Sequence, residues 1–225
     1  MNVITLYFLS FLLFSWGSLQ PIAGQSDAKA IAYIDRLKKA TASPNGWKAD
    51  FVFQTTETQA PADPSAGREG VLFVLGSRYR ILLDDMELFF DGKEVAQYLE
   101  DANELTLSKA EDFFDPEDLT LFNPLKLFDV QSKDFDMQFA GTRSVEGAQV
   151  ADVLLKPRKT THRYVSVLLT IDEKSSLPLL LKVTRKEGAE QMLRLKLPRQ
   201  PEKITEVMVR FQAADHPGVE TVDMR

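Results

Sequence analysis

Few residues in this sequence have the types and spacing that catalysis requires. Only two histidines are present, His162 and His216, and both lie among polar residues. A serine hydrolase needs a histidine base beside its nucleophile and a carboxylate that orients the base. No serine here lies in the glycine-flanked turn that presents such a nucleophile. His162, which follows Lys159-Thr160-Thr161, is therefore interpreted as an exposed loop residue.

Carboxylates and metal ligands give no clearer signal of catalysis. The pairs Asp84-Asp85 and Glu111-Asp112 could in principle serve as acid and base in a glycosidase. Thirteen acidic residues lie between Asp84 and Asp118, however, so any chosen pair is uninformative. The chain has no cysteine, which excludes thiolate-bound metals and disulfides. We therefore expect no enzyme, no cofactor and no metal.

The distribution of phenylalanine does suggest a binding function. Twelve phenylalanines follow residue 24, and eleven of them lie between Phe51 and Phe139. Rigid aromatic rings provide a large apolar contact area, which suits a cavity for acyl chains. An aromatic-rich core explains the same composition, and composition alone favours that explanation.

The first 24 residues form a separate segment. They carry no charged side chain, and Leu6 to Trp16 is almost wholly apolar. This run is too short to span a bilayer comfortably, and the small residues Ala23-Gly24 follow it. The pattern predicts a secretory signal peptide over 1–24, although Lys and Arg are missing near its start; an uncleaved anchor is the alternative. Residues 25–225 fit a single domain.

Strands dominate the rest of the chain. A helix comes first, with Ser26 as its predicted N-cap and an apolar stripe at three- and four-residue spacing. From Trp47 the apolar period changes to two, and turn signals recur about every ten residues, as in a sandwich or barrel. Gly70–Leu75 is apolar on both faces, so both should be covered. The last strands are predicted at Val207–Phe211 and Val219–Met224.

The strongest turn signal is Asp91-Gly92-Lys93. Apolar runs of strand length flank it, and an Asp-Gly pair favours a type I′ hairpin because both central residues need positive φ. We interpret this hairpin as the centre of a large antiparallel sheet that curls around an apolar ligand.

An apolar and acidic insertion between residues 111 and 129 interrupts the strands. Asn123 and Pro124 fit the cap and first position of a short helix. Insertions of this length within a compact domain are often lids or binding loops. A short helix that plugs the end of the barrel as ordinary core is equally favoured.

Charge is unevenly distributed along the chain, whose net charge is −6. Residues 84–118 hold thirteen acidic and two basic residues, whereas 156–203 hold twelve basic and five acidic ones. Solvated sheet faces explain this, and a dipolar protein that docks oppositely charged partners is the functional alternative. Nucleic acid is not an expected partner, because the chain is acidic and its basic segment lacks interleaved aromatics.

The motifs around the hairpin resemble the periplasmic outer-membrane lipoprotein carriers of the LolA family. The family's order of motifs is found in Gly70-Val71-Leu72-Phe73, then Tyr79-Arg80, then Phe90-Asp91-Gly92-Lys93 with Tyr98 downstream. Asn123–Phe128 resembles the family's short Pro-Leu-rich helix, and Gly218–Asp223 resembles its closing strand more loosely. The resemblance implies a mostly β (α+β) fold: a curved antiparallel unclosed β-barrel with an N-terminal helix and a short helical lid covering the concave face.

The same resemblance implies a function. It implies a soluble, monomeric periplasmic carrier that takes lipoprotein acyl chains from an inner-membrane release transporter to an outer-membrane acceptor. The residues expected to line the acyl-chain cavity are Phe51, Phe53, Phe73, Tyr79, Ile81, Leu83, Phe90, Tyr98, Leu105 and Leu107. The residues expected in the lid are Phe113, Phe114, Phe122, Leu125 and Phe128.

Two points remain open within this resemblance. A periplasmic lipid- or protein-binding sensor or regulatory module on the same half-barrel is the alternative function. The family's carriers also have an Arg-Pro pair before the aromatic-Arg strand, and that arginine ties the sheet to the lid. This chain has Leu75-Gly76-Ser77 there, so the resemblance does not supply the lid's hydrogen bonds.

Overall fold

The computed structural model describes residues 26–56, 67–115, 119, 122–198 and 202–225. The signal peptide predicted over residues 1–24 lies outside the described residues, and its boundary stays a prediction. No helix in the described ranges combines the length and the apolar character needed to cross a bilayer.

The described strands form one twelve-stranded sheet. Its strands are β1 (Trp47–Thr56), β2 (Arg68–Leu75), β3 (Arg78–Leu83), β4 (Met86–Phe90), β5 (Glu94–Leu99), β6 (Glu104–Lys109), β7 (Phe135–Val145), β8 (Ala148–Pro157), β9 (Tyr164–Asp172), β10 (Pro178–Arg185), β11 (Glu190–Lys196) and β12 (Glu220–Asp223). The order across the sheet is β12-β6-β5-β4-β3-β2-β1-β11-β10-β9-β8-β7. Since β12 and β7 are both edges, the sheet is curved and open, which confirms the predicted unclosed barrel.

Two features of the strand order differ from the prediction. The Asp91–Lys93 hairpin joins β4 and β5, which lie near one edge, whereas β1 and β11 pair near the middle of the sheet. In addition, β12 runs parallel to β6, although the other pairs are antiparallel. A parallel partner needs a long connection, and here residues 110–219, which include β7 to β11, separate the two strands.

The opening helix, α1 (Ala28–Thr41), has the predicted apolar stripe but a different cap. Asp27 caps it by accepting a hydrogen bond from the Lys29 amide at 2.7 Å. Ser26, the predicted cap, donates instead to the Phe135 carbonyl oxygen at 3.2 Å. Ser26 therefore fastens the start of the helix to edge strand β7. The buried stripe is Ala30, Tyr33, Ile34 and Leu37.

The hairpin turn is also not the predicted type I′. Three residues, Asp91 to Lys93, separate β4 from β5, and Gly92 alone among them has positive φ, at 106°. The Asp91 carboxylate accepts from the amides of Lys93 and Glu94, at 2.9 and 2.8 Å. These bonds close the turn through the aspartate side chain, as Asx turns do, and hold the pKa of Asp91 below its usual value despite its partial desolvation.

The sheet has two distinct faces because successive side chains point to opposite sides of a strand. We call the face that α1 packs against the inner face and the opposite face the outer face. The inner face carries the large core cluster, which includes Leu72, Tyr79, Val153 and Leu169. A smaller cluster of Phe73, Ile204 and Val209 lies on the outer face.

The C-terminal segment, residues 202–225, covers part of the outer face, and we call it the strap. The strand predicted at Val207–Phe211 is instead a 3-10 turn at Glu206–Val209 followed by extended chain. Val209 is buried beside Phe73, and the ring of Phe211 lies 5.8 Å from Phe89. The strap thus lies over the outer face of β2, as the apolar pattern on both faces of this strand predicted.

Candidate functional site

Six of the ten predicted cavity residues lie together on the inner face. They are Phe51, Phe53, Tyr79, Ile81, Leu83 and Phe90. The registers align them, with Tyr79 opposite Phe90 and Ile81 opposite Leu88. Tyr79, Ile81 and Leu83 are buried, whereas Phe53 and Phe90 are half-buried. The inner face of β1, β3 and β4 is thus a continuous apolar and aromatic surface.

The other four predicted cavity residues, Phe73, Tyr98, Leu105 and Leu107, lie on the outer face. Phe73 pairs with Arg80, and Tyr98 pairs with Leu105, all on the side away from α1. A shift of one residue in the assumed pleat sends a side chain to the opposite face. These four residues therefore do not share a cavity with the other six. On the inner face, β6 presents the polar residues Thr106 and Ser108 instead.

The predicted lid packs onto the inner face. It contains two short helices, α2 (Ala110–Phe113) and α3 (Pro124–Phe128), and Asn123 caps α3 as predicted. We call its described residues, 110–115 and 122–128, the cover. The five predicted lid residues all belong to the inner-face core or pack against it.

Aromatic rings make the contacts between the cover and the sheet. The Phe114 ring lies 5.9 Å from Phe90 in an edge-to-face arrangement, and Phe90 lies 5.0 Å from Tyr79. At the other end of the cover, Phe128 lies 6.1 Å from Trp47. The predicted hollow space is therefore occupied by the cover at these positions, and the segment packs as a plug.

Three polar contacts join the cover to different parts of the fold. The Tyr79 hydroxyl donates to the Phe122 carbonyl oxygen at 2.6 Å. The Asp115 carboxylate pairs with Arg163 at 3.0 Å, and Asp129, just after α3, pairs with Lys38 at 3.5 Å. The Asp115–Arg163 pair is solvent-exposed and Lys38 is partly buried; surface pairs contribute only about 0–1 kcal/mol each.

Apart from Phe128, the cover is less buried than the elements beside it. None of the residues of α2 is fully buried, and Phe122 and Leu125 are only half-buried. Isolated helices of four or five residues are unstable in water, so the cover depends on these side-chain contacts. The cover thus places apolar surface over the inner face, loosely at α2 and firmly at Phe128, which has 1% exposed surface.

Sequence reasoning missed the role of Gly70. A Cβ atom at this position would lie 2.3 Å from Phe51 Cζ and 2.4 Å from the Leu82 carbonyl oxygen. Glycine therefore lets the Phe51 ring cross β2 on the inner face. A glycine inside a strand commonly marks such a close approach, and that signal was present in the sequence.

The outer face has a separate open cleft of about 590 Å³. Its walls include Leu75, Gly76 and Ser77, where the carrier family has its arginine, and Ile204 and Thr205 of the strap. The cleft does not communicate with the inner face through the sheet, because β2 and β3 are paired along their whole length there.

The residues considered for catalysis are dispersed. His162 lies in a loop as predicted, but it is half-buried and its ring stacks 5.0 Å from Tyr164. His216 lies in the strap, 4.2 Å from the Tyr98 ring. Asp84 pairs with Arg68 at 2.6 Å. Within the described residues, no group of three or more histidine or acidic side chains could hold a metal ion.

Comparison with known proteins identifies the fold. No family model matches the sequence, and no curated protein matches it. Among solved structures, an uncharacterized conserved protein from Thermus thermophilus is similar, with a TM-score of 0.55 and 13% identity, over 87% of this chain and 99% of that chain.

Two further solved structures are similar. The crystal structure of MucB has a TM-score of 0.54 and 20% identity, and the match covers 84% of this chain but 65% of MucB. This chain thus spans just under two-thirds of that structure. A LolA superfamily protein from Nitrosomonas europaea has a TM-score of 0.39 and 8% identity, over 81% of this chain and 97% of that chain.

Proposed function

We propose that this protein is a periplasmic carrier that binds lipoprotein acyl chains on its inner face, beneath a displaceable cover. The observation that carries the proposal is the meeting of the half-buried rings of Phe90 and Phe114 on the Phe-rich inner face. The sequence resemblance to the LolA carriers, at Gly70–Phe73, Tyr79-Arg80 and Phe90–Lys93, supports it independently.

The physical task of such a carrier is to shield hydrocarbon in water. Each methylene group withdrawn from water contributes about 0.8 kcal/mol, so an acylated lipoprotein does not cross an aqueous gap unshielded. The carrier must also release its cargo, which favours a shallow apolar surface over a sealed pocket. An open sheet under a weakly held cover meets both requirements.

In this mechanism the cover and the acyl chain compete for the same surface. With the cover in place, the Phe114 ring lies against Phe90. When the cover moves aside, an acyl chain takes the position of Phe114 and contacts Phe53, Ile81 and Phe90. Loss of the ligand lets the cover return, so the empty protein does not expose its aromatic surface to water.

The proposed carrier acts without cofactor and as a monomer. It receives cargo from a release transporter in the inner membrane and delivers it to an acceptor at the outer membrane. The uneven charge along the chain would favour encounters with such partners more than it would strengthen binding to them.

The proposal is tested by lipid binding in a matched pair of variants. The fluorescence of N-phenyl-1-naphthylamine reports occupancy of an apolar site, and a triacylated lipopeptide competes with it. Phe90→Glu places a carboxylate on the inner face, and we expect lipopeptide affinity to fall about tenfold or more because a buried charge is strongly unfavourable. Leu107→Glu introduces the same carboxylate on the outer face, and this variant should bind lipopeptide like the wild-type protein.

Circular dichroism establishes that both variants are folded. Equal binding by the wild type and by folded Phe90→Glu would remove the inner face as the site. Weakened binding by Leu107→Glu alone would move the site to the outer face. Native mass spectrometry of the mature protein from its periplasm provides a second readout, since a carrier should retain lipid.

A regulatory protein-binding module is the second candidate. MucB, whose structure is similar to this fold at a TM-score of 0.54, is also described in complex with MucA. A module of this kind would bind a protein partner through its charged surfaces and would contain no lipid in native mass spectra. The Phe90→Glu substitution would then leave partner binding unchanged.

A further inference from the structure

The most deeply buried hydroxyl of the inner face obtains its hydrogen-bond acceptor from the cover. Tyr79 has 0% exposed surface, and its hydroxyl donates to the Phe122 carbonyl oxygen at 2.6 Å. Burial raises the pKa of the Tyr79 phenol, so the group remains protonated and remains a donor. Its position on β3 is fixed by the sheet, whereas Phe122 belongs to the cover.

Displacement of the cover would break this hydrogen bond. A buried donor that loses its acceptor is unfavourable, because water no longer satisfies it. A ligand that replaces the cover over Tyr79 is therefore favoured if it brings an acceptor of its own. A plain hydrocarbon chain has none.

We propose that Tyr79 donates a hydrogen bond to the carbonyl oxygen of an acyl ester, so that the inner face selects acyl esters over hydrocarbons that lack this group. The inference rests on the proposed function and specifies its ligand. The ester carbonyl takes the position of the Phe122 carbonyl, and the acyl chain lies along Phe90 where Phe114 now packs.

The surroundings of Tyr79 favour a neutral acceptor over a charged one. Val74, Ile81 and Leu88, its neighbours on the inner face, each have 0% exposed surface. The flanking Arg78 and Arg80 lie on the outer face, where Arg80 pairs with Glu87 at 2.7 Å. A carboxylate or phosphate at Tyr79 would lose its hydration without gaining a cation, whereas an ester carbonyl loses much less.

The test compares two ligands of equal chain length, methyl laurate and tetradecane, delivered from cyclodextrin. Displacement of N-phenyl-1-naphthylamine gives their relative affinities. We expect the wild-type protein to prefer the ester by about tenfold, because the hydrocarbon leaves the hydroxyl unsatisfied. In Tyr79→Phe the preference should fall to within about twofold while affinity for tetradecane is retained or increased.

A matched tyrosine provides the control. The Tyr98 hydroxyl, on the outer face, donates to the Asn103 side-chain oxygen at 3.1 Å. Tyr98→Phe removes the same atom and should keep the wild-type preference for the ester. Infrared spectra of carbonyl-labelled methyl laurate give a direct readout, since the bound ester's stretching frequency should be lower in the wild type than in Tyr79→Phe.

The outcomes separate this inference from the proposed function. If the folded wild type binds neither ligand, the proposed function fails. If it binds both equally, or if Tyr79→Phe keeps the preference, the carrier stands but the role of Tyr79 is overturned. A triacylated lipopeptide and a dilauroyl phosphatidylglycerol both carry acyl esters, and the one that binds more tightly and loses affinity in Tyr79→Phe identifies the source of the ester.

Discussion

The two halves of the inner face are covered in different ways. Strands β7 to β10 lie with α1, and their inner-face residues Val153, Leu155, Val167 and Leu169 have 0% exposed surface. Strands β1 to β4 lie beneath the cover, where Phe53, Phe90 and Phe114 remain half-buried. The first half is mainly aliphatic, whereas the second adds half-buried aromatic rings to a base of fully buried residues such as Val74, Ile81 and Leu88.

Side-chain contacts fix α1 more firmly than the cover. Tyr33 stacks on Phe139 at 5.5 Å and donates to the Glu173 carboxylate at 2.6 Å, while Lys29 lies 3.8 Å from the Phe139 ring centre. The cover depends on shorter helices, on the hydrogen bond from Tyr79 to Phe122 and on the buried ring of Phe128. One half of the inner face is therefore closed by a long helix, and the other half by the shorter segment on which the proposed ligand exchange would act.

The largest expected difference between the halves is the cost of removing a leucine. Leu169→Ala should lower the free energy of unfolding by about 2–5 kcal/mol, as fully buried leucines do. Leu125→Ala, in the half-buried cover, should cost about 1 kcal/mol or less. Urea denaturation measures both values. Equal costs would show that the cover is as integral to the fold as the aliphatic half.

A substitution at Gly70 tests how tightly the inner face is packed where β1 meets β2. Gly70→Ala should cost about 1–3 kcal/mol, as overpacking does, because its Cβ would meet Phe51 and the Leu82 carbonyl oxygen. The double variant Gly70→Ala/Phe51→Leu should cost less than the sum of the single variants, since removal of the ring relieves part of the clash. Additive costs in urea denaturation would assign the strain to the backbone contact alone.

Alkaline pH should act on both halves through buried or hydrogen-bonded tyrosines. Burial raises the pKa of Tyr79, and the hydrogen bond to Glu173 raises that of Tyr33. The folded state thus holds these protons more tightly, so stability is complete below the unfolded pKa of about 10 and falls as the pH rises above it, by up to about 1.4 kcal/mol per pH unit for Tyr79. Urea midpoints between about pH 9 and 11 should fall less steeply in Tyr79→Phe than in Tyr33→Phe, because burial raises the pKa of Tyr79 more. The reverse order would contradict this.

The smallest expected effect comes from the exposed pair of Asp115 and Arg163. Arg163→Ala should change global stability by about 1 kcal/mol or less. It should nevertheless speed hydrogen exchange of the Phe114 amide, which is bonded within the cover to the Ala110 carbonyl oxygen at 2.9 Å, while exchange in β9 stays unchanged. Equal acceleration in both places would mean that the cover does not open separately.

The fold could be predicted because its signals are local. Alternating apolar residues, the Asn123-Pro124 start of α3 and the two-sided apolar pattern of β2 each reflect a short-range rule. The conformation of the strap was harder to predict. Val207–Phe211 alternates like a strand, but it forms the end of a 3-10 turn and then extended chain, and these pack against Phe73 and Phe89. Its conformation is determined by the sheet beneath it, which is distant in sequence.

The candidate site could be predicted only in part, because pleat registers are not local. Tyr79, Ile81 and Phe90 share one surface, as their alternation predicts. Tyr98 and Leu107 lie on the opposite face from these residues, since nothing in the sequence of β5 and β6 fixes which side meets the helices. The Tyr79 hydrogen bond depends on where the cover lies and has no sequence signature.

The late pairing of β1 with β11 has a consequence for how the chain acquires its structure. Asp50 in β1 lies opposite Lys196 in β11, so this pairing joins residues that are about 150 positions apart in the sequence. Contacts of such large sequence separation slow folding, whereas the hairpins from β2 to β6 need only near neighbours. Until the strap forms, Phe73 and Phe89 have no residues above them, and exposed apolar surface of this kind makes a folding intermediate prone to aggregation.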